Sequence, residues 1–174
     1  MELSSSSSRM LSLVAVLAIA NVACPRDEPR AQADRATATA SAAAAKQPFV
    51  VTSLKTSDGE LGPLLKSEAA KAKQAKLKPY VEFHAAWCGP CRALEKSLDD
   101  PRMIDAFTGT YIIRLDADDW GPKLDGTGFN AGAIPVFYPI DDEGKPSGKT
   151  IDGGAWGENI PENMAPPLKA YFHS

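Results

Sequence analysis

The stretch "PYVEFHAAWCGPCRALEKSLDD" (79–100) constrains the chain more than any other part of it. Its first seven residues alternate and are rich in β-branched and aromatic types, which predicts a strand over Pro79 to Ala85. From Cys88 onward the pattern predicts a helix that Pro101 stops. Almost nothing separates the two. A strand feeding straight into a helix is the building unit of a layered α/β fold. Cys88 and Cys91 therefore fall at the start of that helix, with Gly89 and Pro90 between them and Trp87 just before.

Such a pair has several readings. Structural zinc takes four ligands, usually two cysteine pairs or a pair with two histidines. Here there is one pair, with His84 as a possible third ligand and His173 at the far end of the chain. Haem attachment needs His directly after the second cysteine, and Arg92 stands there. A passive staple closing so short a loop constrains the unfolded chain very little. The redox reading fits the physics best. Unpaired N–H groups and the dipole at a helix N-terminus stabilise a thiolate at Cys88, and the thiolate is the attacking species in disulfide exchange. Cys88 is expected to be accessible, with Cys91 shielded one turn further in and placed to attack the mixed disulfide. Pro90 has no N–H to lose in a first turn that lacks partners. Gly89 lets a substrate backbone come close.

The rest of the chain supplies the layers. "PFVVTSL" (48–54) predicts a strand and 60–77 a helix with Leu61, Leu64 and Leu65 as its apolar stripe. A short helix is expected over 101–107 and strands over 111–118, 136–141 and 149–153, with a turn at "DDEGKPSG". A terminal helix over 160–172 is expected to break or bend at Pro166 and Pro167. Strands alternating with helices, followed by a hairpin and a helix, imply an α/β fold with helices on both faces of a central mixed sheet. "DADDWGPKLDGTGFNAG" (116–132) lacks regular calcium-ligand spacing and is expected to be a solvated loop; Trp120 and Trp156 are expected in the core or at its rim.

"WCGPC" after a strand and before a helix resembles the active site of thioredoxins, and the resemblance covers about Gln47 to Phe172. It implies a thioredoxin fold and a redox disulfide between Cys88 and Cys91. Glu82, six residues before Cys88, stands where thioredoxins carry a buried acid. That implies a proton shuttle for Cys91, with desolvation raising its pKa. "AIPVFY" resembles the cis-proline segment. Pro135 would be the cis-proline, holding the Ile134 backbone where a substrate strand can pair with it. Trp87 would wall the site. "DDEGK" resembles the family's hairpin turn and "GGA" (153–155) its late glycine. Lys96 stands where thioredoxins often have a kinking proline, which implies a straighter helix. More closely, "KPYVEFHAAWCGPCRALEKSLDDPRM" looks like the periplasm-facing C-terminal domain of the transmembrane thiol:disulfide interchange reductases and its stand-alone relatives.

The N-terminal region carries a different message. Arg9, then the short apolar run 10–23, then small residues, resemble a secretory signal peptide. "NVAC" resembles a bacterial lipoprotein processing site, with Cys24 as the lipidated residue; the alternative is ordinary cleavage near Ala20 or Ala23. Once Cys88 and Cys91 are paired, Cys24 is the odd one of only three cysteines, and an odd thiol in an exported protein needs a purpose. The expected organisation is a signal peptide over 1–23, a lipid-anchor cysteine and flexible linker over 24–46, and the thioredoxin-like domain over 47–174. As a coil the linker reaches about 25 Å. With a net charge of −3 and no block of Lys and Arg, no nucleic-acid partner is expected.

The expected activity is an exported, periplasmic thiol–disulfide oxidoreductase acting on protein or small-molecule disulfides. Its Gly-Pro pair, which it shares with reducing thioredoxins, favours a reductase. The alternatives are an oxidase or isomerase of the same fold, or a non-enzymatic binding module. No cofactor is implied, because electrons travel as thiol exchange. A reductase in an oxidising compartment needs a membrane electron donor, and the lipid anchor would keep it close.

Overall fold

A computed structural model describes residues 48–174. The expected signal peptide, Cys24 and the linker lie outside the described residues. In chain order the elements are β1 (Val50–Leu54), α1 (Leu61–Gln74), β2 (Lys78–His84), α2 (Gly89–Lys96), α3 (Pro101–Phe107) and β3 (Thr110–Asp116). There follow a single turn α4 (Ala117–Trp120), β4 (Val136–Pro139), β5 (Ile151–Asp152) and α5 (Pro161–Phe172). Among the described residues no helix is long and apolar enough to cross a membrane.

The five strands form one sheet in the order β1-β3-β2-β4-β5. β3 runs parallel to both β1 and β2, while β4 is antiparallel to β2 and to β5. β2 and β3 are thus interior strands, covered on both sides. The two-residue period of a strand sorts their side chains to two faces. Val81, Phe83, Ile113 and Leu115 pack with Leu65, Ala69 and Ala72 of α1. Tyr80 and Ile112 pack on the other face with Leu94, Met103, Phe107, Leu168 and Phe172 from α2, α3 and α5. The expected mixed sheet with helices on both faces is the observed architecture.

Element ends differ from the sequence expectations for identifiable reasons. α1 stops at Gln74 rather than Leu77 because Lys76 takes a left-handed conformation (φ 59°) and the Leu77 N–H returns to the Ala72 carbonyl at 2.9 Å. α2 ends at Lys96, four residues short of Asp100. Pro101 forces the residue before it into extended backbone, and Asp100 uses that conformation to cap α3 through the Arg102 N–H. The straight helix expected through Lys96 is therefore a short one with a turn after it. α5 does not break at Pro166 and Pro167. It runs through both, and its buried Met164, Ala165, Leu168 and Phe172 hold it to the core.

The last strand covers two residues instead of five. The turn before it forms as expected, with Asp141 Oδ1 accepting from the N–H groups of Glu143 and Lys145. Gly144 there has φ +76°, and a Cβ would lie 2.7 Å from that of Leu65. The segment 116–132 is not a purely solvated loop. It buries Trp120, Leu124 and Phe129 against the α1 face, and Trp120 Nε1 donates to the Leu54 carbonyl at 3.0 Å. Trp156 is buried on the opposite face. Among the described residues no group of three His, Cys, Asp or Glu side chains is gathered to hold a metal.

Candidate active site

The C-terminal ends of β2 and β3, the first turn of α2 and the segment leading into β4 meet at one end of the sheet. Cys88 is the N-cap of α2, with extended backbone (φ −70°, ψ 107°) and Pro90 inside the first turn. The Cys91 N–H donates to Cys88 Sγ at 3.1 Å. This is one of the orphan amides that every helix start leaves free, and here it points at the sulfur. Cys88 and Cys91 are joined in a disulfide.

The expected contrast in exposure between the two cysteines is not seen. Cys88 is 3% exposed and Cys91 4%. Each sulfur covers the other in the bonded state, and Ala85 and Ile134 pack around them. Cys88 nevertheless lies in the outermost layer, because Trp87 and Gly89 on either side of it are exposed.

Ile134 and Pro135 close over the pair. The Ile134–Pro135 peptide is cis, and the Ile134 carbonyl oxygen lies 3.7 Å from Cys88 Sγ. The Gly153 N–H donates to the Pro135 carbonyl at 3.0 Å. A Cβ on Gly153 would stand 3.4 Å from Pro135 Cδ, an ordinary van der Waals contact. A groove of about 410 Å³ runs beside Cys88, walled by Trp87, Pro90, Ile134, Gly153 and Asn159. Trp87 is 66% exposed. Its indole is fixed by donation from Nε1 to Asp118 Oδ2 at 2.8 Å.

Glu82 lies on the other side of the disulfide. It is 1% exposed, and its neighbour in register across β3 is Arg114. Arg114 Nε donates to Glu82 Oε2 at 2.8 Å and Nη1 donates to Glu95 Oε1 of α2 at 2.9 Å. Glu82 is buried as expected, and Arg114 holds it in an ion pair that the sequence did not foretell. Burial works against the charge on Arg114, but Glu82 and then Glu95 outweigh it and hold the guanidinium above its ordinary pKa. A second cleft, of about 310 Å³, touches Glu82, His84, Cys91, Glu95, Arg114 and Asp116. Glu82 and Cys91 thus share a wall of one solvent-reaching space.

Sequence reasoning missed Arg114, Glu95 and Asp118 as members of this site. Arg114 did leave a signal. It is the one charged residue inside the run "YIIRL", and a charge in a doubly covered strand needs a buried partner.

No family model matches this chain. Thioredoxin H2 of Arabidopsis thaliana is 39% identical over 60 residues, which is 34% of this chain and 42% of that protein. An H-type thioredoxin of Oryza sativa subsp. indica is 30% identical over 76 residues, 44% of this chain and 59% of that protein. The chain therefore spans about half the length of these curated relatives. Among solved structures, a disulphide isomerase from Xylella fastidiosa superposes with a TM-score of 0.50 at 22% identity, covering 66% of this chain and 90% of that one. With its five-stranded mixed sheet and its cysteine pair at a helix start, the chain has a thioredoxin-like fold, and over part of its length its sequence is similar to thioredoxins.

Proposed function

We propose that this protein is a thiol–disulfide oxidoreductase that reduces protein or small-molecule disulfides, exported to the periplasm and held at the membrane by a lipid on Cys24. The observation that carries the chemistry is the bonded cysteine pair at the start of α2, with the Cys91 amide donating to Cys88 Sγ. A helix start that donates to this sulfur favours its thiolate. In the reduced protein the Cys88 thiolate attacks a substrate disulfide. One sulfur–sulfur bond forms to Cys88, and the other substrate sulfur leaves as a thiolate. Cys91 then gives its proton to Glu82 and attacks Cys88 Sγ. The second substrate sulfur leaves, the substrate has gained two electrons, and the protein is left as the disulfide. An extended substrate strand lies along the Ile134 backbone between Trp87 and Gly153, with Gly89 and Pro90 letting it approach.

The Gly-Pro pair supports the reducing direction, and the likeness of 78–103 to periplasm-facing reductase domains supports a membrane electron donor as partner. Redox titration of Cys88 and Cys91 tests the direction. A reductase is expected near the thioredoxin potential of about −270 mV. A value about 150 mV more positive, roughly 7 kcal/mol, makes the protein an oxidase. Mass spectrometry of the mature N-terminus tests the lipid on Cys24.

One observation favours a second reading, a binding module with a structural disulfide: both cysteines are nearly closed to solvent. The Cys88→Ser, Cys91→Ser double variant separates the two. An enzyme loses insulin reduction and biological function together, whereas a binding module keeps its function.

A further inference from the structure

The exchange proposed above moves a proton as well as electrons, and both of its internal stations are closed. Cys91 is 4% exposed and Glu82 1%. Their shared opening is the cleft of about 310 Å³. His84 also lines that cleft. It lies two residues after Glu82 on the same face of β2, is half-buried, and stands in register with Asp116 at the ends of β2 and β3. The charged and titratable groups around it come from every bordering element: Glu82 of β2, Cys91, Arg92 and Glu95 of α2, and Arg114 and Asp116 of β3. Of the side-chain types in this set, imidazole is the one that both takes up and releases protons near neutrality.

We propose that His84 carries the proton between Glu82 and bulk solvent through this cleft. This rests on the thiol-exchange reading. Neither sulfur takes a hydrogen bond from His84, so it is a positioning residue for the proton and not a catalytic one. In the resolving step the Cys91 thiol proton passes to the Glu82 carboxylate while the Cys91 sulfur forms its bond to Cys88 Sγ. The bond from Cys88 to the substrate breaks, and the substrate sulfur leaves with the electron pair. The proton then passes from Glu82 through cleft water to the His84 ring and out, which restores Glu82 for the next turnover.

The test uses the reduced full-length chain carrying Cys24→Ser, oxidised by dithiobis(nitrobenzoate) in stopped flow at about pH 7. The first thionitrobenzoate released reports attack by Cys88, and the second reports resolution by Cys91. His84→Ala is expected to leave the first release unchanged and to slow the second about tenfold, less than the full range of general acid–base assistance because water still enters the cleft. Added imidazole is expected to restore the rate in His84→Ala, whose missing ring leaves room for it, and to leave the parent unchanged. His84→Gln, which retains bulk and polarity, is expected to be as slow as His84→Ala. A second release at the parental rate in both variants overturns the proposal. So does a slowed release that imidazole does not restore, which assigns His84 to packing. If the parent itself releases no second equivalent, the thiol-exchange reading fails, and this proposal fails with it.

Discussion

Replacing Arg114 with Met removes the guanidinium and keeps an aliphatic stem of similar reach. Glu82 stays where it is, 1% exposed and without its 2.8 Å partner. Removing one member of a buried pair costs about 3–5 kcal/mol, because the remaining charge is left uncompensated. Two features place this case at the low end. The cleft of about 310 Å³ reaches Glu82, so water solvates part of the orphaned charge. The second bond, to Glu95, adds little, since that side chain is 62% exposed and exposed pairs are worth about 0–1 kcal/mol. The expected loss at neutral pH is about 3 kcal/mol.

Urea unfolding followed by tryptophan fluorescence measures this loss for Arg114→Met, Glu82→Gln and the double variant. The double variant is expected to lose less than the sum of the single ones, because it leaves no buried charge unpaired. A loss under about 1 kcal/mol at neutral pH refutes a buried ion pair here.

Three further outcomes follow from local geometry. Gly144→Ala is expected to lower stability by about 1–3 kcal/mol in urea melts, from its positive φ and its clash with Leu65. Leu94→Ala, fully buried with Met103 and Phe107, is expected to cost about 2–5 kcal/mol and to broaden the nuclear magnetic resonance signals of α2. Hydrogen bonds from the Arg102 side chain, then its backbone N–H, hold the Asp100 carboxyl down at about 2. Its contribution to stability is therefore full above the ordinary aspartate value of about 3.9 and is lost as pH falls through that lower value. A carboxyl titration by nuclear magnetic resonance checks this, with Arg102→Ala expected to return Asp100 to the ordinary range.

What was legible in the sequence was what local rules govern. Strand alternation in 79–85 and the strand–helix junction at Cys88 are near-neighbour patterns, and they appear in the structure within a residue or two. Pro101 was legible both as the stop of one helix and as the start of the next, and Asp100 supplies the cap of the second. Arg114 could not be matched to Glu82 from the sequence alone, because 32 residues separate them and only the β2–β3 register makes them neighbours. The exposure of Cys88 was misjudged for a similar reason. Its cover comes from Ile134, 46 residues on, brought back by β4. The continuity of α5 through two prolines was illegible because its packing with α3 and the sheet is not visible in the local sequence.

The same register explains why the chemistry sits where it does. β2 and β3 are parallel, so their C-terminal ends lie together, and clefts in open α/β sheets form at such ends. β4 is antiparallel to β2, so its N-terminal end, with Ile134 and Pro135 before it, arrives at the same edge. α2 begins there as well, which brings its free amides to the sulfur of Cys88. Along β2 the period of two then divides the labour. Val81 and Phe83 anchor the strand to the α1 face, while Glu82 and His84 on the opposite face lead from the buried ion pair toward the cleft mouth. Moving the β2 sequence by one residue would send Glu82 and His84 into the apolar α1 face and bring Phe83 beside Arg114. The alternation that builds the core is therefore the same feature that aligns the proton route with the cysteine pair.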